Sequence, residues 1–169
     1  MDQNEFVLIT TPFKDKIFRL AKRLLVSTEE AEDATQEVLF KLWSKSASVS
    51  TYKNVEAFAM TLTKNYCLDQ LKSKRATNVP LNSDHDKDFD SELGKNIEDL
   101  DSLNWVEKCI AQLPEQQQII IQLRDIEQYE YEEIAKIVAV SENTIRVTLS
   151  RARKTIREFM KNVHDYGIK

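Results

Sequence analysis

The sequence predicts an all-α protein made of two small helical domains joined by an acidic flexible linker. The chain of 169 residues holds only two glycines and three prolines. That is too few for the turns a sheet demands, and the abundant Leu, Ile, Glu, Lys and Gln favour helices. Apolar residues also recur every three or four positions in several separated stretches. Between two of these stretches, residues 76–104 carry two Lys/Arg against eight Asp/Glu, whereas residues 1–75 carry twelve against ten and residues 105–169 ten against ten. The net charge of −4 therefore belongs to the linker, and both flanking parts keep basic patches. The expected organisation is a helical domain over 6–75, an acidic linker over 76–101 and a second helical domain over 102–163.

In the first domain, Phe13, Ile17, Leu20, Ala21 and Leu24 form one helical stripe. Ser27 to Glu30 offers a capping box that opens a second helix through Ala31, Ala34, Val38 and Leu42 to about Trp43. The serine-rich stretch from Ser44 to Asn54 breaks the period, and Asn54 caps a third helix with Phe58, Ala59, Leu62 and Tyr66. From Thr77 to about Asp101 no period is sustained, and Asp84, Asp86, Asp88 and Asp90 alternate with short residues as in a solvated tether. The second helical set opens near Asp101 and Ser102 with Leu103, Val106, Ile110 and Leu113. Pro114 then takes a first-turn position ahead of Ile119, Ile120 and Leu123.

The segment from Tyr131 to Arg157 has the pattern of a helix-turn-helix. Tyr131, Ile134, Ala135 and Val138 share one face of a first helix, Val140 turns inward, and Ser141 is placed to cap the next helix. Ile145, Leu149, Ala152 and Ile156 form the buried seam of that second helix, which leaves Ser141, Glu142, Asn143, Thr144, Arg146, Val147, Ser150, Arg151 and Lys154 as candidate DNA contacts. In this motif the start of the second helix meets base edges and later basic residues neutralise phosphates. Any amphipathic helix pair exposes charges, but from Ile145 to Lys161 six Lys/Arg stand against Glu158 alone. That imbalance in an acidic chain favours DNA over a merely solvated face.

Other chemistries find little support. Cys67 and Cys109 stand alone in apolar helical patterns, and His85 and His164 lie at unrelated positions, so neither a zinc site nor a disulfide framework is implied. A helical metalloenzyme lacks its histidine ligands. No cofactor, metal, small-molecule substrate or catalytic residue is expected, and the chain reads as a non-enzyme. The N-terminus does not resemble an export signal and no long apolar run is present, which makes a cytoplasmic protein without membrane insertion the expectation.

Two separated motifs make the DNA-binding reading more specific. The run Ala31-Glu32-Asp33-Ala34-Thr35-Gln36-Glu37-Val38-Leu39-Phe40-Lys41-Leu42-Trp43 resembles conserved region 2 of bacterial sigma factors. Leu113-Pro114-Glu115-Gln116-Gln117-Gln118, Tyr131-Glu132-Glu133-Ile134-Ala135 and Arg151-Ala152-Arg153 resemble their region 4. Together they are similar to the extracytoplasmic-function (ECF) group of the sigma-70 family, which keeps only regions 2 and 4 on either side of a linker.

The resemblance implies that Asp33, Gln36 and Glu37 dock on the clamp helices of the largest catalytic subunit of core RNA polymerase, with the flap as a further contact. It implies that the loop after Trp43 receives an unstacked base of the −10 element, with Ser50, Thr51, Tyr52, Lys53 and Asn54 supplying polar, aromatic and cationic groups. The helix that follows adds Lys64, Asn65, Lys72 and Arg75 beside the same promoter DNA. Asn143 to Arg157 would read the −35 element, an anti-sigma factor is the implied regulator, and the linker aspartates would either mimic nucleic acid near the RNA exit path or only keep the tether soluble and extended. A two-domain helix-turn-helix regulator that never joins the polymerase is the alternative. The chain departs from the family where Ala139 replaces the turn glycine, where Gln128 stands in place of glycine, and at Val147 and Thr148. Alanine serves at the turn only in a left-handed conformation, at some strain.

Overall fold

A computed structural model describes residues 1–49, 51–77 and 102–167. Ser50 and the linker aspartates Asp84, Asp86, Asp88 and Asp90 lie outside the described residues. All regular structure among the described residues is helical, as expected. The elements are α1 (Gln3–Leu25), α2 (Thr28–Ser44), α3 (Ser46–Val49), α4 (Val55–Thr77), α5 (Ser102–Gln112), α6 (Glu115–Ile121), a π-helical turn (Gln122–Ile126), α7 (Tyr131–Val138) and α8 (Glu142–Gly167).

Helix α1 starts well before the stripe that signals it. Asp2 and Glu5 cap it reciprocally: the Glu5 amide donates to Asp2 Oδ1 at 2.8 Å and the Asp2 amide to Glu5 Oε2 at 3.3 Å. At the α1–α2 corner the Glu30 amide donates to Ser27 Oγ at 3.3 Å. The expected box does not close through the Glu30 carboxylate, which pairs with Lys74 of α4 instead. The serine-rich stretch is also not all loop. Val49 is 1% exposed and anchors the one-turn helix α3 against the bundle, a burial that the polar sequence around it conceals.

The same corner holds a strained residue. Val26 has φ of 69° and ψ of −37°, and the Ser27 amide donates to the Leu25 carbonyl at 2.8 Å, which closes a tight γ-turn. A β-branched residue is disfavoured there, at a cost of about 1–3 kcal/mol. Val26 is 69% exposed and contributes little packing in return. Val26→Gly is expected to stabilise the fold by about 1 kcal/mol after glycine's larger entropy loss. An unchanged or lowered urea midpoint would refute the strain.

Helices α1, α2 and α4 pack as a three-helix bundle around Ile17, Leu20, Val38, Leu42 and Met60, with Ala21, Ala31, Ala34 and Ala59 letting the backbones approach closely. The C-terminal half packs α8 on α5, α6 and α7 around Ile119, Ile120, Leu123, Ile134, Ile137, Ile145 and Leu149. The two halves also touch, α4 against α7 and α1 against α6 and the π-turn. Cys67 and Cys109 are free and buried, and burial pushes the Cys67 thiol up to about 12, far from thiolate chemistry. No helix among the described residues is long and apolar enough to cross a membrane.

Candidate nucleic-acid and protein interfaces

The helix-turn-helix forms where the spacing places it. Helix α7 ends at Ala139, whose φ of 57° and ψ of 44° are left-handed, so alanine takes the glycine conformation as the sequence requires. Ser141 then caps α8: its Oγ accepts from the Thr144 amide at 3.1 Å, and its carbonyl accepts from the Ile145 amide at 3.1 Å. Ile145, Leu149 and Ala152 are buried and Ile156 is half-buried, so the seam faces inward. The opposite face presents Ser141, Glu142, Asn143, Thr144, Arg146, Val147, Ser150, Arg151 and Lys154, all exposed.

Two contacts brace that face from behind. The Tyr131 ring meets two guanidiniums, Arg124 at 4.5 Å and Arg146 at 5.0 Å from its centroid. Arg153 forks onto Asp125 at 2.6 and 3.1 Å, which raises its pKa further and commits it to the protein. Among the described residues Arg151, Lys154 and Arg157 have no ion-pair partner. They form a cationic strip along an exposed helix, the distribution that phosphates attract.

The π-turn is the largest departure from sequence expectation in this half. The Glu127 amide donates to the Gln122 carbonyl at 3.0 Å, a five-residue step, and Gln128 follows with φ of 64°. Gln128 thus adopts the conformation for which glycine is best suited. The extra residue in the turn carries Glu127 and Tyr129 inward, where both are buried.

On α2, Asp33 and Gln36 are exposed and Glu37 is half-buried, one turn apart on a common face. Two apolar neighbours were not singled out from the sequence: Phe40 is 65% exposed and Trp43 40%, with Phe6 edge-on to Trp43 at 5.1 Å. Phe40 lies three and four residues beyond Glu37 and Gln36, so helical spacing alone could have found it. These rings place exposed apolar area beside the carboxylate face.

The residues expected around the −10 element divide into two groups. Thr51, Tyr52, Lys53 and Asn54 lie together and exposed after α3, with Tyr52 stacked obliquely on Phe58 at 4.9 Å and Lys45 over Phe58 at 5.6 Å. Asn54 Oδ1 is already used, accepting from the Ala57 amide at 2.9 Å to cap α4. Asn65 and Lys72 are exposed on α4. Lys64 and Arg75 instead engage the C-terminal half: Lys64 Nζ donates to the Ile137 carbonyl at 3.0 Å, and Arg75 pairs with Glu115. Burial lowers the Lys64 pKa.

Comparison with known proteins agrees with this geometry. Residues 10–77 match the family model for sigma-70 region 2, and residues 103–156 match that for sigma-70 region 4. The chain is 23% identical to the ECF RNA polymerase sigma factor SigW of Bacillus subtilis over 96% of this chain and 92% of that protein. It is 29% identical to the ECF RNA polymerase sigma factor SigE of Mycolicibacterium smegmatis over 86% of this chain and 58% of that protein. In fold it is similar to the sigma factor RpoE of Bartonella quintana, solved in complex with the anti-sigma factor NepR. The TM-score is 0.71 at 22% identity, covering 93% of this chain and 97% of that one.

Proposed function

The chain belongs to the extracytoplasmic-function group of the sigma-70 family, and from that membership we propose that it binds core RNA polymerase and directs it to promoters carrying −35 and −10 elements. Residues 6–75 act as the polymerase-binding and −10-reading domain, residues 102–163 as the −35-reading domain, and 76–101 as the tether. The observation that carries the reading is the exposed face of Ser141, Glu142, Asn143, Thr144, Arg146, Val147, Ser150, Arg151 and Lys154 on a capped α8 behind a left-handed turn.

Asp33, Gln36 and Glu37 meet the basic clamp helices of the largest subunit, with Phe40 and Trp43 adding apolar area. Thr51, Tyr52 and Lys53, with Ser50 beside them, hold an unstacked base, so strand opening follows from capture. Lys72 and Asn65 lie along the same DNA. On α8, Asn143, Thr144 and Arg146 address base edges, and Arg151, Lys154 and Arg157 hold phosphates. Tethering two weak readers makes the second contact intramolecular, which sharpens site choice without strong binding by either half. The chain supplies positioning and no bond chemistry, needs no cofactor, works in the cytoplasm and is held in check by an anti-sigma factor.

Run-off transcription with core polymerase on a genomic promoter library tests this. Discrete transcripts absent with core alone are expected. Failure to form them, with tight duplex binding in the absence of polymerase, would make the protein a stand-alone regulator. Within the assay, Arg146→Ala is expected to cost about 1–3 kcal/mol at one −35 base pair. Lys154→Ala is expected to weaken all promoters alike and lower the salt slope by about 0.9. Equal loss on every −35 sequence for Arg146→Ala would remove it from base readout.

A further inference from the structure

Helix α7 opens with a ring that gathers cations. Tyr131 is its first residue, half-buried against the C-terminal core, and Arg124 of the π-turn lies 4.5 Å from the ring centroid. Arg124 is itself held, because its Nη1 donates to the Tyr129 carbonyl at 2.9 Å and Glu130 stands 3.9 Å away. The next residue of the π-turn, Asp125, takes the fork of Arg153, which lies within reach of the Tyr131 hydroxyl. Successive residues of one turn thus anchor the tyrosine, one at its ring and one, through Arg153, at its hydroxyl. A third guanidinium, that of Arg146 on α8, lies 5.0 Å from the same centroid. Arg124 and Arg153 are half-buried, whereas Arg146 is exposed on the face that carries Asn143, Thr144, Val147 and Ser150. Glu142 stands one turn before it, yet among the described residues Arg146 has no carboxylate partner and lies against the ring instead.

We propose, resting on the promoter reading of α8, that Tyr131 is a positioning residue for −35 recognition: its ring holds the Arg146 guanidinium in one orientation, so that the arginine's choice of base pair depends on the tyrosine. An exposed arginine has many rotamers, and one left free finds a nearby phosphate as readily as a base edge. The two arginines of α8 beside Tyr131 show the alternatives. Arg153 is held by a carboxylate, which consumes two of its N–H groups. Arg146 is held by a π-face, which consumes none and leaves its donors for a base. At an exposed site such a contact biases an equilibrium by a factor of about 2–5, enough to favour one orientation and weak enough to adjust in the groove. Through Arg124 and Asp125 the π-turn sets where this platform stands.

The first measurement needs neither polymerase nor DNA. In the full chain the Arg146 Nε–Hε resonance, assigned by its loss in Arg146→Ala, should be shifted by the ring current and should keep that shift in Tyr131→Phe. Tyr131→Leu and Tyr131→Met, which keep apolar volume against the core, should return it to the position of a free arginine while the other α8 resonances stay in place. A free-arginine position in the parent chain would overturn the proposal. The second measurement is run-off transcription by the full chain with core polymerase on one promoter whose −35 element is randomised. Tyr131→Leu is expected to lower discrimination about 2–5-fold at the base pair that Arg146→Ala flattens, with Tyr131→Phe close to the parent and no change at other base pairs. In the Arg146→Ala background Tyr131→Leu should lower discrimination no further, because it acts through that arginine. An equal loss on every sequence, a loss reproduced by Tyr131→Phe, or stronger transcription from all sequences in Tyr131→Leu would each overturn it. These would make the tyrosine a structural residue, a hydroxyl contact to phosphate, or a trap for Arg146. If Arg146→Ala flattens a base pair and Tyr131→Leu flattens none, the positioning alone is wrong. If Arg146→Ala flattens none, the base-reading assignment of Arg146 falls and the positioning with it.

Discussion

Ile145→Ala is expected to destabilise the C-terminal half by about 2–5 kcal/mol, the usual cost of emptying a fully buried aliphatic site. Ile145 is 0% exposed at the first turn of α8, against Ile134 and Ile137 of α7, themselves buried. A small helical unit has roughly 5 kcal/mol in hand, so the loss brings this half close to unfolding at 37 °C. Trp105, 3% exposed on α5, reports the transition by fluorescence in urea alongside circular dichroism. Val147→Ala, two residues away and 42% exposed, should stay within about 0.5 kcal/mol while altering which −35 sequences are chosen. Equal midpoints for the two variants would mean that α8 is not packed on the seam described.

That contrast between neighbours was readable from the sequence, because helical spacing separates Ile145, Leu149 and Ala152 from Arg146, Val147 and Ser150 without knowledge of anything distant. The same holds for the left-handed Ala139, since only such an angle lets a chain leave α7 and enter α8 so abruptly. The beginning of α1 escaped because exposed Val7 and Leu8, at 52% and 75%, blur the inward stripe that Phe6, Ile9 and Thr10 lead into Phe13. Its signal was the Asp2 to Glu5 box. Helix α3 escaped because one buried valine among serines carries no period. The π-turn and the pairing of Arg19 with Glu127 have no local signature at all. They depend on two halves meeting, and a residue 108 positions away leaves no trace in the spacing of its partner. Lys64 shows the consequence: its place in a basic run suggests DNA, while its place in the fold gives it a carbonyl.

The face on α2 is where a small change should have the largest effect on activity. Asp33→Lys combined with Glu37→Lys is expected to reduce promoter-directed transcription at least about 100-fold, because each reversed charge at a desolvated interface costs about 2–5 kcal/mol of association. Neither substitution should disturb the bundle, since Asp33 is exposed, Glu37 is half-buried, and the buried Ala34 and Val38 carry the packing. Tyr66 has its hydroxyl pKa raised first by burial and then by the Glu37 and Asp33 charges, so it stays neutral and offers the reversed charges no ionised partner. The expected result is a variant that melts no lower than the parent, binds free DNA no more weakly, and fails to co-purify with core polymerase. Phe40→Ala should reproduce part of the defect without any change of charge, which separates apolar docking from electrostatic steering. Because steering is screened by salt and apolar contact is not, the Phe40→Ala loss should persist at 0.5 M salt, where the difference between the parent and the charge-reversed variant narrows. Retained transcription in the doubly reversed variant would move the polymerase contact off this helix.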